Sequence, residues 1–117
     1  MAKLFGSSGV RGLVNVDLTP NLACKVASAV ATHAKAKKAV VACDTRVSGC
    51  MIKDALVSGL IACGTDVLLA GMVPTPVLAY AAKSLGADVG FMLTASHNPP
   101  QYNGIKVRCK AQADLWQ

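Results

Sequence analysis

Short aliphatic runs alternate with helical apolar patterns along most of this chain, and that alternation restricts the fold more than any other feature. Residues 39–43 (Ala-Val-Val-Ala-Cys) read as a buried strand. An amphipathic helix follows over about 49–63, with Ile52, Ala55, Leu56, Gly59, Leu60 and Cys63 on its inner stripe and Gly64 at its C′ position. Residues 66–70 form the next strand, about 75–85 a helix closed by Gly86, and 88–93 another strand. Upstream, Thr19 reads as an N-cap with Pro20 at the first helical position. They open a helix over about 20–34 whose inner stripe is Leu22, Val26, Ala29, Val30 and His33.

Three further segments complete the pattern. Residues 3–5 are expected as a short strand, and Gly6 to Gly12 as a glycine-rich turn. Residues 104–109 return as a final strand. It follows a loop rather than a helix, so it either pairs antiparallel with 88–93 or lies at an edge. This order predicts a three-layer α/β/α domain around a mostly parallel, mixed sheet, with most strands buried on both faces. The 117 residues suit a single domain. Apolar residues are 53% of the chain and aromatics only 4%, so the core must be aliphatic. In such sheets the ligand crevice lies beyond the carboxyl ends of the strands. Asp44 to Arg46 and Thr94 to Asn98 both fall there, with Asp44 and Arg46 spaced for a local ion pair.

Several classes are disfavoured. No apolar run approaches the roughly 20 residues of a membrane span, and the start of the chain lacks a secretory apolar region. The expectation is a soluble, cytoplasmic protein. A net charge of +6 invites a nucleic-acid reading. However, Lys35, Lys37 and Lys38 have no interleaved aromatics and suit a solvated helix end, so no nucleic-acid partner is expected. Cys24, Cys43, Cys50, Cys63 and Cys109 are odd in number and form no C-x-x-C, which suits buried free thiols. Thr75, between two prolines, reads as a helix cap.

The chemistry concentrates in Thr94-Ala95-Ser96-His97-Asn98-Pro99-Pro100 and Tyr102-Asn103-Gly104-Ile105-Lys106-Val107. A serine is inert unless its neighbours activate it or carry away charge. Here the neighbours are an imidazole, an amide and an ammonium, a set better suited to a phosphoryl group than to acyl transfer. Each residue also has a plain reading. Ser96 alone is a loop hydroxyl, His97 a loop-fixing hydrogen-bond partner, Lys106 a surface strand residue and Arg11 a turn residue.

With Phe5-Gly6-Ser7-Ser8-Gly9-Val10-Arg11-Gly12 and Gly71-Met72-Val73-Pro74-Thr75-Pro76 upstream, these motifs resemble the first domain of the α-D-phosphohexomutases, the phosphoglucomutases and phosphomannomutases among them. The resemblance runs from about residue 3 to residue 108. It implies that Ser96 carries a phosphate and donates it to a hexose phosphate, giving a 1,6-bisphosphate before taking back the other phosphate. It also implies Mg²⁺, with the phosphoserine at Ser96 as one ligand. Arg11 and Lys106 would meet the transferring phosphate, His97 is a candidate for proton transfer, and Ser7 and Asn98 for phosphate binding. Gly6, Gly9 and Gly12 would allow close approach to an anion.

The match also has gaps. The family's metal loop D-x-D-x-D is absent, and its later domains are missing, so the expected partners are a hexose phosphate and the remaining mutase domains. Alone, the chain is expected to be inactive. The alternative is a truncated, non-catalytic domain that binds sugar phosphates or another protein. Ala42-Cys43-Asp44-Thr45-Arg46 stands where members often have G-R-D-x-R, and residues 108–117 look unlike the family.

Overall fold

A computed structural model of the chain describes residues 9–96 and 98–109. The expected strand 3–5, Ser7, His97 and the tail beyond Cys109 lie outside the described residues. The elements are β1 (Val10–Leu13), α1 (Pro20–Ala34), β2 (Lys38–Cys43), α2 (Gly49–Ala62), β3 (Asp66–Met72), α3 (Thr75–Ser84), β4 (Val89–Leu93) and β5 (Tyr102–Cys109).

Helix α1 starts where its residues dictate. The Thr19 hydroxyl accepts from the Leu22 amide at 3.1 Å, and Pro20 contributes no amide to the uncapped first turn. Thr75 does not cap α3; it is the first helical residue, and Pro74 holds the cap position without a side-chain bond. Gly64 and Gly86 take the left-handed conformation just beyond α2 and α3, as helix-terminating glycines do.

The five strands form one mixed sheet in the order β1-β5-β4-β2-β3. Strand β2 pairs parallel with β3 and with β4, while β5 pairs antiparallel with β4 and with β1. The last strand therefore takes the antiparallel option and lies inside the sheet. Strand β1 arises within the stretch expected as a glycine-rich turn.

On one face α1 and α2 bury Val26, Ala27, Ala31, Ile52, Leu56 and Leu60 against Val41, Phe91, Leu93 and Ile105. On the other, Leu78 and Ala82 of α3 pack on Val40, Ala42 and Met92. Three layers result. Each fully buried aliphatic side chain in them is worth about 1.5–3 kcal/mol. Helix α3 packs on β2 and β4. The same face of the sheet continues over β5 and β1 with half-buried Arg11, Tyr102, Lys106 and Arg108.

Three expectations about burial fail. Strand β3 is an edge strand, and its Leu68, Leu69 and Met72 are exposed rather than buried on both faces. Of the stripe expected for α1, Val26 is buried and Leu22 and Val30 pack on the core, but His33 and Ala29 are exposed, because the helix turns Ala23, Ala27 and Ala31 inward. The cysteines are free but not buried: Cys50 and Cys63 are exposed, and Cys24, Cys43 and Cys109 are intermediate. Among the lysines, Lys35 caps α1, whereas Lys38 opens β2 and donates to the Leu85 carbonyl at 3.1 Å.

Candidate active site

Strands β2 and β4 run parallel and end side by side, with Cys43 registered against Leu93. The chain leaving each strand therefore enters the same space. Asp44 and Arg46 leave β2, and Thr94 to Asn98 leave β4. The Asp44 amide donates to the Leu93 carbonyl at 3.1 Å and prolongs the pairing one residue beyond the strands.

Asp44 and Arg46 form the expected ion pair, with Arg46 Nε 3.3 Å from Asp44 Oδ2. The pair does much more than join these two residues. Arg46 Nη1 donates to the carbonyls of Pro99 (2.8 Å) and Tyr102 (3.0 Å). Its Nη2 donates to the carbonyls of Ser96 (3.0 Å) and Asn98 (2.8 Å). A guanidinium has five N–H donors, and here every one has an acceptor. Asp44 is equally occupied. Its Oδ2 accepts from Thr94 Oγ1 at 2.7 Å and its Oδ1 from the Arg46 amide at 3.0 Å. The Thr94 hydroxyl in turn accepts from the Ser96 amide at 3.1 Å.

Ser96 sits exposed at the tip of this arrangement with φ +54°. That left-handed conformation costs a residue with a Cβ about 1–2 kcal/mol, so the surrounding bonds must hold it. Asn98 accepts at Oδ1 from Arg11 Nη1 at 3.0 Å, which brings the β1 arginine to the serine loop. Arg11 Nε is shielded from solvent and has no hydrogen-bond partner among the described residues. The arginine lies in a slot that only glycine permits. A Cβ on Gly104 would stand 2.8 Å from Arg11 Cγ and 2.6 Å from the Thr94 carbonyl oxygen.

The other candidates fall as follows. Lys106 is half-buried on β5, opposite Met92 and on the same face as Arg11. Arg108 follows on that face, and burial pushes its pKa down to about 10. Gly9 and Gly12 do approach something closely, but it is protein. Their missing Cβ positions are taken by the Ile105 carbonyl oxygen and by the Asp17 side chain. Cys43, next to Asp44, has its thiol pushed above its ordinary value by burial, and further by Cys50 and Asp44. That keeps it a protonated, poor nucleophile. Asn103, read only as part of a motif, is fully buried and donates to Ser48 Oγ at 2.8 Å, tying β5 to the start of α2.

Among the described residues no three of His, Cys, Asp and Glu gather to hold a metal ion. The carboxylate nearest the serine in the bonded network, Asp44, is already committed to Thr94 and Arg46. The described residues therefore do not make a Mg²⁺ site by themselves. No helix among them is long and apolar enough to cross a membrane. A groove of about 490 Å³ between α2 and β3, lined by Val57, Ile61, Thr65 and Leu69, lies at the far edge of the sheet from β1 and β5 and holds none of these residues.

Comparison with known proteins gives this geometry a context. Residues 2–115 match the family described as phosphoglucomutase/phosphomannomutase, alpha/beta/alpha domain I. A phosphoglucomutase/phosphomannomutase of Thermococcus kodakarensis is 50% identical over 112 residues, covering 92% of this chain and 25% of that protein. A "Probable phosphoglucosamine mutase" of Pyrococcus horikoshii is 51% identical over 107 residues, covering 92% and 24%. The chain thus spans about a quarter of the length of the curated relatives it matches. Among solved structures, a phosphoglucomutase/phosphomannomutase family protein from Burkholderia thailandensis superposes with a TM-score of 0.81 at 33% identity, over 97% of this chain and 28% of that one.

Proposed function

Because the chain belongs to the phosphoglucomutase/phosphomannomutase family, as its α/β/α domain I, we propose that it is the phosphoserine-bearing domain of a hexose phosphate mutase. Ser96 is the phosphoryl carrier. In the first half-reaction a sugar hydroxyl attacks the phosphorus of phosphoserine 96. The phosphorus–Oγ bond breaks, a new phosphorus–oxygen bond forms on the sugar, and the hydroxyl proton ends on the serine oxygen. The resulting 1,6-bisphosphate turns over, and Ser96 takes back the other phosphate. A covalent carrier lets one site serve both ends of the sugar.

The observation that carries this reading is the exposed Ser96, set at φ +54° in a braced loop beside an arginine whose Nε has no partner among the described residues. The transition state spreads negative charge over the phosphoryl oxygens, and positioned cations stabilise it. In this reading Arg11 and Lys106 supply that charge, and Asn98 orients Arg11 and the phosphate. Ser7 and His97 are assigned phosphate binding and proton transfer from the motif alone. Mg²⁺ would add charge neutralisation at the phosphoryl group, with the phosphate on Ser96 as one ligand and the rest from further chain. The names of the relatives favour a hexose or hexosamine phosphate as substrate. Since the chain spans about a quarter of those relatives, complete turnover is assigned to the longer assembly, within a soluble, cytoplasmic setting.

The test is incubation with glucose 1,6-bisphosphate and Mg²⁺, followed by peptide mass spectrometry. Phosphate on Ser96 in the wild type and none in Ser96→Ala is the expected result. Failure of the wild type to acquire phosphate there, both alone and joined to the remaining domains, would overturn the carrier role in favour of a non-catalytic sugar-phosphate-binding domain.

A further inference from the structure

We infer that the Asp44–Arg46 pair is the template on which the serine loop is folded, and that it acts as a positioning device for phosphoryl transfer. The inference concerns the same site as the proposed function and rests on that reading for its kinetic part; its structural part stands alone.

The need for such a template follows from the loop's composition. Pro99 and Pro100 have no amide hydrogen, so the segment has more backbone acceptors than donors. The carbonyls of Ser96, Asn98, Pro99 and Tyr102 converge on one guanidinium, which supplies the missing donors from outside the loop. Arg46 is itself fixed at Nε by Asp44, and Asp44 is fixed at the end of β2. A second path leads from the same carboxylate through the Thr94 hydroxyl to the Ser96 amide. Ser96 is therefore gripped at its amide and at its carbonyl by one ion pair, with its side chain left outside. The Arg46 side chain is only 11% exposed, while the Pro99 and Ser96 carbonyls that it meets lie on exposed residues of the loop.

A lysine cannot substitute. It offers three donors from one point, whereas the carbonyls here are met by a planar fork. The pair touches neither sugar nor phosphate in this reading. Its contribution is to hold Ser96 Oγ in place, where a displacement of about 1 Å can cost about 10²-fold in rate.

The experiment compares the wild-type chain with Arg46→Met, Arg46→Lys and Thr94→Val. Two readouts are taken: amide hydrogen exchange by NMR at Ser96 and Asn98 against core amides at Val41 and Phe91, and the rate of Ser96 phosphorylation by glucose 1,6-bisphosphate. In that step the Oγ–phosphorus bond forms, the sugar oxygen–phosphorus bond breaks, and the serine proton ends on the sugar. Arg46→Met is expected to speed exchange at Ser96 and Asn98 at least tenfold without changing the core. It should lower the maximal phosphorylation rate about 10²-fold while leaving the half-saturating bisphosphate concentration near wild type. Arg46→Lys should fall between. Thr94→Val, which keeps Arg46, should affect Ser96 exchange but not Asn98, and it decides the matter if Arg46→Met does not fold. Wild-type protection at Ser96 and Asn98 in folded Arg46→Met, or at Ser96 in Thr94→Val, would overturn the template. If the wild type accepts no phosphate, the carrier role fails, and the exchange measurements still decide the template.

Discussion

Two arginines flank the serine loop, and they are wired in opposite ways. Arg46, behind the loop, has all five donors engaged with protein oxygens. Arg11, from the opposite side of the sheet order, makes one side-chain bond to Asn98 and keeps a shielded Nε with no partner among the described residues. A saturated guanidinium has nothing left for a ligand, so its charge works as framework. A buried donor without an acceptor is a standing cost of about 1–3 kcal/mol, and an arriving phosphoryl oxygen would relieve it. On the proposed reading, satisfaction of donors separates the residue that shapes the site from the one that would meet the substrate.

Three substitutions in the site test this difference. Ser96→Ala removes the acceptor itself, so intact-mass measurement with a hexose bisphosphate should find no phosphate on this position, with a melting temperature close to wild type. Arg11→Met keeps the length of the side chain but discards the free donors. Initial rates of Ser96 phosphorylation should fall by about 10²–10³-fold, while core amide exchange stays unchanged. A variant that instead unfolds would move Arg11 into the framework class. Gly104→Ala drives a methyl group toward the Thr94 carbonyl and Arg11 Cγ, and denaturant titration should record a loss of about 1–3 kcal/mol.

Cys43 reports on the frame most gently. Half-buried and with its thiol pushed upward, it should react with iodoacetamide at pH 8 more slowly than exposed Cys50 and Cys63. Arg46→Met should speed it. The sign of its pH linkage follows from the same shift. Below the ordinary thiol value of 9.0 both folded and unfolded states hold the proton. Above it the unfolded chain loses the proton first, so stability declines with rising pH until the folded thiol also ionises. Cys43→Ala should flatten that part of a stability–pH curve, and an unchanged slope would assign the decline to other groups.

Much of the frame was legible because periodicity and caps are local. Thr19 and Pro20 marked the start of α1, and the apolar spacing of α2 predicted Ile52, Leu56 and Leu60 as core. Of the expected α1 stripe, Val26 is buried and Leu22 and Val30 pack against the core, whereas Ala29 and His33 are exposed. Where α1 meets α2 the backbones approach so closely that a Cβ on Gly59 would stand 2.5 Å from the Cys24 carbonyl oxygen, and the residues turned inward there include Ala23, Ala27 and Ala31. Strand β1 escaped notice because its glycines signal a turn. It becomes a strand only by pairing with β5, whose residues lie some ninety positions later. Among the site residues, the serine motif and the Asp44–Arg46 pairing could be read. The template could not, because Arg46 contacts carbonyls, which every residue possesses and no side-chain pattern announces.

The sheet order has a consequence for how the polypeptide comes together as it is made. The segment emerging last of those described, β5, is the one that fits between β4 and β1. Until it has left the ribosome, β1 has no partner strand among the described residues, although it precedes β5 by about ninety positions. The α1–β2–α2–β3–α3–β4 portion can assemble as it emerges, because its parallel pairs are nearer in sequence than β1 and β5. Arg11 reaches the serine loop only when β5 closes the gap. The Arg11 side of the site thus depends on the β1–β5 pairing, while the Asp44–Arg46 frame rests on β2 and β4.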